Sequence, residues 1–422
     1  MWAWFRSETG GSFLELILVI DYGSGRAQSV AKKVRKQKVF SEIVSWPRAE
    51  QAVLERKPLG LITVGAPRGG LQDRLEASNL PLWPLGSVLP APADLDEFLE
   101  KCGCSRDWTW DRFIEETIEE IRAQVGSGRV ICGLSGGLDS FTAAVLVHRA
   151  LGDQLTSVFV DHGLLRHGES EQIVKIAQSG FRIPLVQVQA QERFLSKLKG
   201  IEDPEEKRKI IGTEFIRVFE EEAAKIGDAA YLVQGTLYSD LLESGAGQGQ
   251  LVKSHHNVGG LPPDLNLELI EPLKSLFKSE VRSLAQKLNL PEEIVWRHPF
   301  PGPGLAIRII GDVTSRKLEI VRRADAVVRE EIQKAGYYRK IWQALVVLTN
   351  IRTVGIESGV RTYDYVLALR FVNSEDGVHA EWSRVPHQLL GRISGRLLNE
   401  VKGVSRVVYD LSSKPPATIE WE

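Results

Sequence analysis

The chain has 422 residues, of which 43% are hydrophobic. This length is too great for one compact core, so we expect two or three globular domains. A formal net charge of -2 at pH 7 provides no overall basic field, and we therefore expect neither a nucleic acid nor a membrane surface as partner. Because no segment reaches the roughly 18 consecutive apolar residues of a membrane span, and because the three cysteines are few and odd in number, we expect a cytoplasmic protein.

The first hundred residues alternate between strand and helix patterns. "LELILVIDYGS" is typical of a buried strand, and "RAQSVAKKVRKQKV" after it repeats apolar residues at helical spacing. Two further short strands are predicted within "PLGLITVGAP" and "LPLWPLG", before the proline-rich "VLPAPADLDEF". Residues 1–100 are therefore predicted to form a short α/β domain.

Residues 101–297 show the clearest alternation of strands and helices. The amphipathic helix pattern "WTWDRFIEETIEEIRAQV" leads into strands at "RVICGL", "LTSVFVDHG", "PLVQVQA" and "AAYLVQGT", with helical stretches between them. This alternation indicates a parallel sheet covered on both faces. The remaining part, residues 298–422, mixes helix patterns with strand-like runs such as "YDYVLALRFV", which predicts a small α+β domain.

The segment "ICGLSGGLDSF" indicates the chemistry most clearly. A strand that breaks into serine, glycine and aspartate and continues as a helix presents backbone N–H groups and hydroxyls at the positive end of that helix, where phosphate binds well. The loop lacks the lysine of the Walker motif. It resembles instead the PP-loop of the ATP pyrophosphatases, which implies that it holds the pyrophosphate released from ATP. A tight turn without a ligand is the alternative. The predicted ATP-binding residues of the loop are Ser135, Gly136, Gly137, Leu138, Asp139 and Ser140.

Polar residues also follow the later strands of the same predicted sheet. Ligands of open parallel sheets bind beyond the carboxyl ends of the strands, so polar side chains at successive strand ends are candidates for one site. Taken singly, each is explained equally well as an ordinary loop residue. The candidates are Asp161, Gln234, Gly235 and Thr236 for ATP, and Arg166 and Asp240 for a second substrate.

The segment "LVKSHHNVGGLP" places Lys253, His255 and His256 beside a pair of glycines suited to a hinge. Basic side chains on a moving loop can neutralise pyrophosphate and exclude water when the loop closes. A metal site is the alternative, but the side chains of adjacent residues diverge and no third ligand is evident nearby. We therefore predict that these three residues act in catalysis.

From about Cys102 to Glu422 the chain resembles the synthetase part of GMP synthase, the family that aminates xanthosine monophosphate (XMP). The resemblance rests on motifs that occur in the same order: "CGLSGGLDS", "VFVDHGLLR", "DPEEKRKIIG", "VQGTLYSDLLES", "VKSHHNVGGLPP", "EPLKSLFKSEVR", "WRHPFPGPGLAIR", "RTYDYVLALR" and "GVSRVVYDLSSKPPATIEWE". It implies an ATP pyrophosphatase domain followed by a small dimerisation domain, and hence a homodimer. It also implies that XMP is bound by Arg308, Gln343, Lys414, Thr418 and Glu420.

The resemblance further implies a reaction. ATP transfers its AMP moiety to the C2 oxygen of XMP, pyrophosphate leaves, and ammonia then displaces AMP to give GMP. Mg²⁺ is implied as a cofactor beside ATP, with Asp139 as its carboxylate ligand. Catalysis of this kind depends mainly on positioning and charge stabilisation, so we assign no protein nucleophile.

The N-terminal part resembles the start of a glutamine amidotransferase in "ILVIDYGS" and "VRKQKVFSEI" and then departs from it. A glutaminase of this type needs a cysteine nucleophile activated by a histidine, but the first cysteine is Cys102 and the first histidine is His148. We therefore expect residues 1–100 to be a truncated, inactive remnant, and ammonia to come from solution or from a separate glutaminase. Two other hypotheses stay open: amination of a related purine nucleotide, and a non-catalytic protein that binds nucleotides or a partner.

Overall fold

The structure is a computed structural model, and it describes residues 15–86, 89–227, 229–238, 240, 267–374, 377 and 379–422. The chain divides into two compact units. The first unit comprises Met1–Gly126, Leu237–Lys253 and Pro272–Lys278. The second unit comprises Ser127–Thr236, Ser254–Glu271 and Ser279–Glu422. The domain boundaries predicted after residues 100 and 297 stay predictions.

The first unit is built on a four-stranded parallel sheet. Its strands are β1 (Leu16–Asp21), β2 (Phe40–Ser45), β3 (Gly60–Val64) and β4 (Leu82–Gly86). The strand order is β2-β1-β3-β4, so the first strand is central. Side chains of β1 alternate between two apolar cores: Ile17 and Val19 pack in one, and Leu18 and Ile20 pack in the other. The sheet is therefore covered on both faces.

Within the described residues of the first unit, five α-helices accompany this sheet. They are α1 (Ala27–Lys36), α2 (Ala49–Arg56), α3 (Leu71–Glu76), α4 (Pro92–Lys101) and α5 (Trp110–Val125). Helix α5 begins after Thr109, whose Oγ1 accepts a hydrogen bond of 3.3 Å from the backbone N–H of Arg112. It ends at Gly126, which has a φ of +57°. These two residues explain why the amphipathic pattern starts and stops where it does.

The second unit contains a five-stranded parallel sheet. Its strands are β5 (Arg129–Gly133), β6 (Leu155–Asp161), β7 (Leu185–Gln189), β8 (Ala229–Val233) and β9 (Glu268–Ile270). The order is β7-β6-β5-β8-β9. The chain moves outward from β5 to β7 and then returns to β8 on the other side of β5. The gap between the carboxyl ends of β5 and β8 is thus the switch point where open sheets of this kind bind ligands.

The helices of the second unit cover this sheet and continue into the C-terminal part. They are α6 (Leu138–Leu151), α7 (Glu169–Lys175), α8 (Gln191–Lys197), α9 (Pro204–Ile226), α10 (Lys278–Lys287), α11 (Glu292–Val295), α12 (Ser315–Lys334) and α13 (His387–Glu400). Among the residues with described coordinates, none of the helices is long and apolar enough to cross a bilayer.

The C-terminal part has a second, mainly antiparallel sheet. Its strands are β10 (Gln343–Glu357), β11 (Val360–Asn373), β12 (Glu381–Trp382) and β13 (Val404–Tyr409). Strands β10 and β11 form a long hairpin, and β13 pairs with β11 in parallel. One buried core joins this sheet to the five-stranded sheet, because Val158 and Leu232 belong to the same cluster as Val346 and Leu367. The α+β character expected of this part is confirmed.

Candidate active site

The PP-loop lies between β5 and α6, at the switch point of the five-stranded sheet. Ser135 Oγ and Ser140 Oγ are 2.9 Å apart, so the two hydroxyls face each other across the turn. Gly136 has a φ of +76°, a left-handed conformation that favours glycine. A Cβ at this position would also lie 2.2 Å from Cδ1 of Ile173. Both the conformation and the lack of space explain why the loop has a glycine at this position.

The end of β8 lies directly against the start of α6. A Cβ built on Gly235 would be 3.2 Å from Cβ of Asp139 and 3.3 Å from the backbone nitrogen of Ser140. The neighbouring Thr236 donates from Oγ1 to Glu271 at 2.6 Å, which fixes this strand end. The structure therefore brings two of the predicted ATP-binding segments, the PP-loop and residues 234–236, into contact.

Asp139 is the residue that could hold magnesium. Within the described part of the chain, no group of three or more histidine, cysteine, aspartate or glutamate side chains is arranged for a metal ion. Magnesium in nucleotide enzymes is commonly held by one or two carboxylates together with phosphate oxygens and water. One carboxylate in the first turn of the helix behind the PP-loop fits that kind of site.

The end of β6 supplies the next candidates. Asp161 Oδ1 accepts a hydrogen bond of 3.1 Å from the backbone N–H of Gly163, which shapes the turn after the strand. Burial lowers the pKa of His162 to about 4, and its Nδ1 accepts from the backbone N–H of Leu164 at 3.0 Å. The imidazole is therefore neutral at pH 7. This turn leads to Arg166, which is only 4% exposed.

Arg166 belongs to a buried charged cluster, which also contains Arg308 and Asp325. Nε of Arg166 is 3.5 Å from one oxygen of Asp325, and Nη1 of Arg308 is 3.6 Å from the other. Both guanidinium groups also lie over the ring of Phe300, with their Cζ atoms 4.4 and 5.0 Å from its centroid. Burial alone would raise the pKa of Asp325, but Arg166, Arg329 and Arg308 outweigh it and lower that pKa.

The cluster has more hydrogen-bond donors than acceptors. Nε and Nη2 of Arg166 and Nη1 of Arg308 are buried without a hydrogen-bond partner among the described residues. Burial lowers the pKa of Arg166 to about 10, so the group is still protonated at pH 7. A buried cationic donor without an acceptor is costly, and such groups commonly mark places where an anion binds.

Glu420 connects this cluster to the C-terminal sheet. Arg308 donates from Nη2 and Nε to its two carboxylate oxygens at 2.8 and 3.1 Å, which is a bidentate pair. Gln343, the first residue of β10, donates to the same carboxylate at 2.7 Å. Three residues expected to bind XMP are thus in direct contact, and Arg166 shares Asp325 with one of them.

Of the other predicted residues, Thr418 contacts this group, because its Oγ1 donates to the carbonyl of Glu420. The rest make separate contacts or lie outside the described residues. Nζ of Lys414 donates to the carbonyl of Gly377 at 2.7 Å, and the carbonyl of Thr418 accepts from Arg370 at 2.8 Å. Asp240 belongs to the first unit, where its carboxylate accepts from the backbone N–H of Leu237 at 2.8 Å. Lys253, His255 and His256 lie outside the described residues.

Sequence reasoning missed three residues of the site: Asp325, Phe300 and Arg297. Asp325 lies within α12 and is 2% exposed, although the helix pattern gives no reason to expect an acid among its buried positions. Arg297 donates from Nη1 to the carbonyl of Gly136 at 2.6 Å. The arginine-rich "WRHPFPGPGLAIR" was the available signal, since two of its arginines contact the predicted site.

Two family models match the chain. The model described as GMP synthase C terminal domain matches residues 330–421, and the model described as NAD synthase matches residues 110–209. The chain therefore contains a C-terminal domain similar to that of GMP synthases and a PP-loop region similar to NAD synthase. The resemblance predicted from the sequence is confirmed, as is the α/β class of the fold.

Curated relatives extend the similarity over most of the chain. A GMP synthase [glutamine-hydrolyzing] of Carboxydothermus hydrogenoformans is 60% identical over 329 residues, which are 78% of this chain and 65% of that protein. A protein of the same name from Geobacillus kaustophilus is 60% identical over 323 residues, 76% of this chain and 63% of the relative. The chain thus spans slightly less than two thirds of the length of these relatives. A solved structure of an NH3-dependent NAD synthetase from Campylobacter jejuni shares 18% identity with this chain at a TM-score of 0.35, over 54% of this chain and 87% of the synthetase.

Proposed function

We propose that this protein catalyses the ATP-dependent amination of XMP to GMP through an adenylyl-XMP intermediate. The observation that carries the proposal is that two features suited to anions occur together in the second unit. A loop suited to phosphate lies at the switch point of the sheet, and the buried Arg166 and Arg308 have donors for which the described residues provide no hydrogen-bond acceptor. Two relatives named GMP synthase are 60% identical over 78% and 76% of the chain, which supports the assignment of these substrates.

The reaction we propose has two steps that balance. The C2 oxygen of XMP attacks the α-phosphorus of ATP, the bond between the α- and β-phosphates breaks, and pyrophosphate leaves. Ammonia then adds to C2, the bond from C2 to oxygen breaks, and AMP leaves with that oxygen. A proton is released from the nitrogen. The protein positions the two nucleotides and stabilises charge, in keeping with the absence of an assigned nucleophile.

The ATP-side residues have distinct parts in this proposal. Backbone N–H groups at the start of α6 and the hydroxyls of Ser135 and Ser140 bind the departing pyrophosphate. Asp139 would hold magnesium, which supplies positive charge to the phosphates when it is bound. Asp161 and residues 234–236 line the rest of the ATP site, and Lys253, His255 and His256 stay predicted to act on pyrophosphate.

The XMP-side residues form the second half of the proposed site. Arg166 and Arg308 provide positive charge and buried donors for the anionic substrate. Gln343 and Glu420 provide a donor and an acceptor, already aligned by their mutual hydrogen bond of 2.7 Å, for the polar edge of a purine. Lys414 and Thr418 follow in the same terminal segment, and Asp240 stays a predicted substrate contact.

A homodimer through the C-terminal part is a further element of the proposal. The distal half of the hairpin formed by β10 and β11 exposes large apolar side chains, with Ile356 77% and Val360 66% exposed. Exposed apolar patches on soluble proteins commonly mark contacts with another protein. The hairpin thus provides a surface that a second copy of the chain could cover.

We propose that the chain takes ammonia from solution or from a separate glutaminase in the cytoplasm. Residues 1–101 contain neither a cysteine nor a histidine, so they cannot provide a thiol activated by an imidazole. Mixed with XMP, ATP, Mg²⁺ and ammonium chloride, the purified protein should form GMP and AMP in equal amounts. Glutamine in place of ammonium should give no GMP.

Three results would contradict the proposal in different ways. GMP formed from glutamine alone would show a glutaminase that the chain contains after all. Nucleotide binding without turnover in ammonium would indicate a non-catalytic binding protein. Turnover of another purine nucleotide in preference to XMP would indicate a related aminating ligase, which a panel of nucleotides would identify.

A further inference from the structure

Arg297 connects the PP-loop to a second structural element. It follows α11 in the chain, and its side chain is 13% exposed. Nη1 donates to the carbonyl of Gly136 at 2.6 Å. Nη2 of the same guanidinium pairs with one carboxylate oxygen of Glu169. One rigid group therefore contacts both the left-handed residue of the PP-loop and the first residue of α7.

Glu169 continues this connection toward the substrate cluster. It is 4% exposed, and its second carboxylate oxygen accepts a hydrogen bond of 2.8 Å from the backbone N–H of Arg166. An unbroken series of contacts thus runs from the Gly136 carbonyl through Arg297 and Glu169 to the backbone of Arg166. Nε and Nη2 of Arg166 are buried without a hydrogen-bond partner in the part of the chain that the structure describes.

We propose that Arg297 and Glu169 are positioning residues that hold the PP-loop and Arg166 in a fixed relation to each other. This inference rests on the function proposed above and deepens it, because in-line transfer requires the two nucleotides to be aligned. Groups held by rigid, paired side chains keep reacting atoms in a productive geometry. Neither residue needs to touch a substrate for this role.

The chemistry of the pair suits a fixed link. Arginine presents a planar fork that can serve two acceptors at once, whereas lysine presents a single charged nitrogen. Burial and the nearby Arg166 lower the pKa of Arg297 to about 9, so the guanidinium is still charged at pH 7. Hydrogen bonds to charged groups in a buried setting are among the stronger ones in proteins.

The test compares Arg297→Lys with the matched variant Arg193→Lys. Arg193 also pairs with glutamates in the second unit, donating to both oxygens of Glu221 at 2.7 and 2.9 Å, but its side chain is 33% exposed. Binding of magnesium pyrophosphate to the full chain is measured by calorimetry. The KM values for ATP and XMP are then measured in the ammonium assay. Thermal unfolding shows whether each variant is folded.

We expect Arg297→Lys to bind pyrophosphate about tenfold more weakly and to raise the KM for ATP by a similar factor, which corresponds to about 1.4 kcal/mol. Arg193→Lys should match the parent protein in both measurements. Glu169→Gln should raise the KM for ATP and for XMP together, because it weakens both the contact with Arg297 and the hydrogen bond from the backbone N–H of Arg166. The double variant with Arg297→Lys should cost less than the sum of the two single changes, as expected for residues that act as one unit.

The outcomes separate this inference from the proposed function. If Arg297→Lys binds pyrophosphate and ATP as the parent protein does, the link has no positioning role, even if GMP is formed. If the parent protein forms no GMP but Arg297→Lys still weakens pyrophosphate binding tenfold, the proposed reaction fails and the role of Arg297 stands. A folded parent protein that does not bind pyrophosphate would overturn both.

Discussion

The two parallel sheets of this chain share one design. In each, the first strand is central, the chain moves to one side of it and then returns to the other, which creates a switch point. That point lies between β1 and β3 in the first unit and between β5 and β8 in the second. In both units the central strand is followed by a turn with positive-φ glycine, Gly23 and Gly25 in the first unit and Gly136 in the second. Architecture alone would assign a ligand site to both.

The two turns differ in the groups that accept hydrogen bonds from their backbone N–H groups. In the first unit, Oδ1 of Asp21 accepts from the N–H groups of Gly23 and Ser24 at 3.0 Å each. The protein's own carboxylate therefore takes the position that an anion would occupy. In the second unit, Asp139 lies in the first turn of α6, and a neutral hydroxyl, Oγ of Ser135, accepts from the backbone N–H of Gly137 at 3.4 Å. The two turns therefore share one architecture but differ in the acceptor of their N–H groups, a carboxylate in the first unit and a hydroxyl in the second.

Buried arginines show the same contrast. Arg35 in the first unit donates from Nε to the carbonyl of Ser41 at 3.1 Å and from Nη2 to the carbonyl of Ser275 at 2.7 Å. Backbone carbonyls thus accept from its guanidinium, and its role is structural. Arg308 in the second unit keeps a buried nitrogen without a hydrogen-bond partner among the described residues. A buried arginine indicates a binding site when its donors exceed the protein's acceptors.

The strongest test of the difference between the two turns is to place the same side chain, alanine, at a glycine of each. Gly136→Ala adds a Cβ 2.2 Å from Ile173 at a φ of +76°. Gly23→Ala adds one at a φ of +88° with no atom within 4 Å. We expect the first change to lower the rate of GMP formation by a factor of about 100 to 1,000, as loss of preorganised charge stabilisation does. The second should cost roughly 1 kcal/mol of stability and leave the rate unchanged.

Initial rates in ammonium, normalised to folded protein by circular dichroism, measure this difference. Glycine is needed in both turns for the backbone, so the thermal midpoint should fall in both variants. Equal losses of rate in the two variants would mean that the first unit contributes to the reaction, and the contrast between the sheets would fail.

The sequence predicts the local parts of this site well. A strand, a glycine turn and a helix are adjacent in the chain, so the PP-loop is evident from a short window. The strand ends at Asp161 and Gln234 follow from the rule that parallel strands end at one edge. Strands β2, β9 and β12 were missed. Strands β9 and β12 have only three and two residues, too few for a periodic signal, whereas β2 has six residues whose apolar members, Phe40, Ile43 and Val44, do not alternate with polar ones.

The sequence could not predict the contacts that turn these parts into one site. Asp325, Phe300 and Arg297 meet the predicted residues only through folding, and separations such as that from Gly136 to Arg297 have no local signature. The family resemblance supplied Arg308 and Glu420 separately, but their bidentate contact depends on the packing of the terminal segment against β10. The sequence thus predicts which local segments bind phosphate, whereas the pairing of buried charged side chains depends on the tertiary structure.

A second prediction sharpens the contrast between the buried arginines. Arg308→Lys loses the bidentate contact with Glu420, so the KM for XMP should rise between about 10- and 100-fold, or roughly 1.4 to 2.8 kcal/mol. Arg35→Lys loses donors to backbone carbonyls, so the first unit should lose about 1 to 2 kcal/mol of stability without a change in KM. Steady-state kinetics and urea unfolding of the two variants measure these effects.

The comparison of Arg308→Lys with Arg35→Lys distinguishes a binding role of Arg308 from a purely structural one. Both changes keep the positive charge and both remove a guanidinium fork from a buried place. A rise in the KM for XMP in Arg35→Lys, or none in a folded Arg308→Lys, would contradict the distinction between satisfied and unsatisfied arginines.

The smallest expected effect concerns acid stability, and it also distinguishes the two units. Burial lowers the pKa of both His162 and His298 to about 4. In each, Nδ1 accepts from a backbone N–H, that of Leu164 at 3.0 Å and that of Ala344 at 3.2 Å, so protonation would break a hydrogen bond. The first unit contains no histidine at all.

The sign follows from proton linkage. An unfolded histidine, with a pKa near 6.5, takes up a proton before the folded one does as the pH falls. The stability that each neutral histidine contributes is therefore complete above about pH 6.5 and is lost progressively toward pH 4. Between pH 7 and 5.5 the loss should be about 1 kcal/mol for each histidine.

Urea unfolding at the two pH values should show this loss in the parent protein, and His298→Gln should show about half of it, because one titrating group remains. A pH dependence that is unchanged in His298→Gln would mean that this imidazole takes up its proton over the same pH range in the folded and unfolded states, which would contradict the lowered pKa of His298.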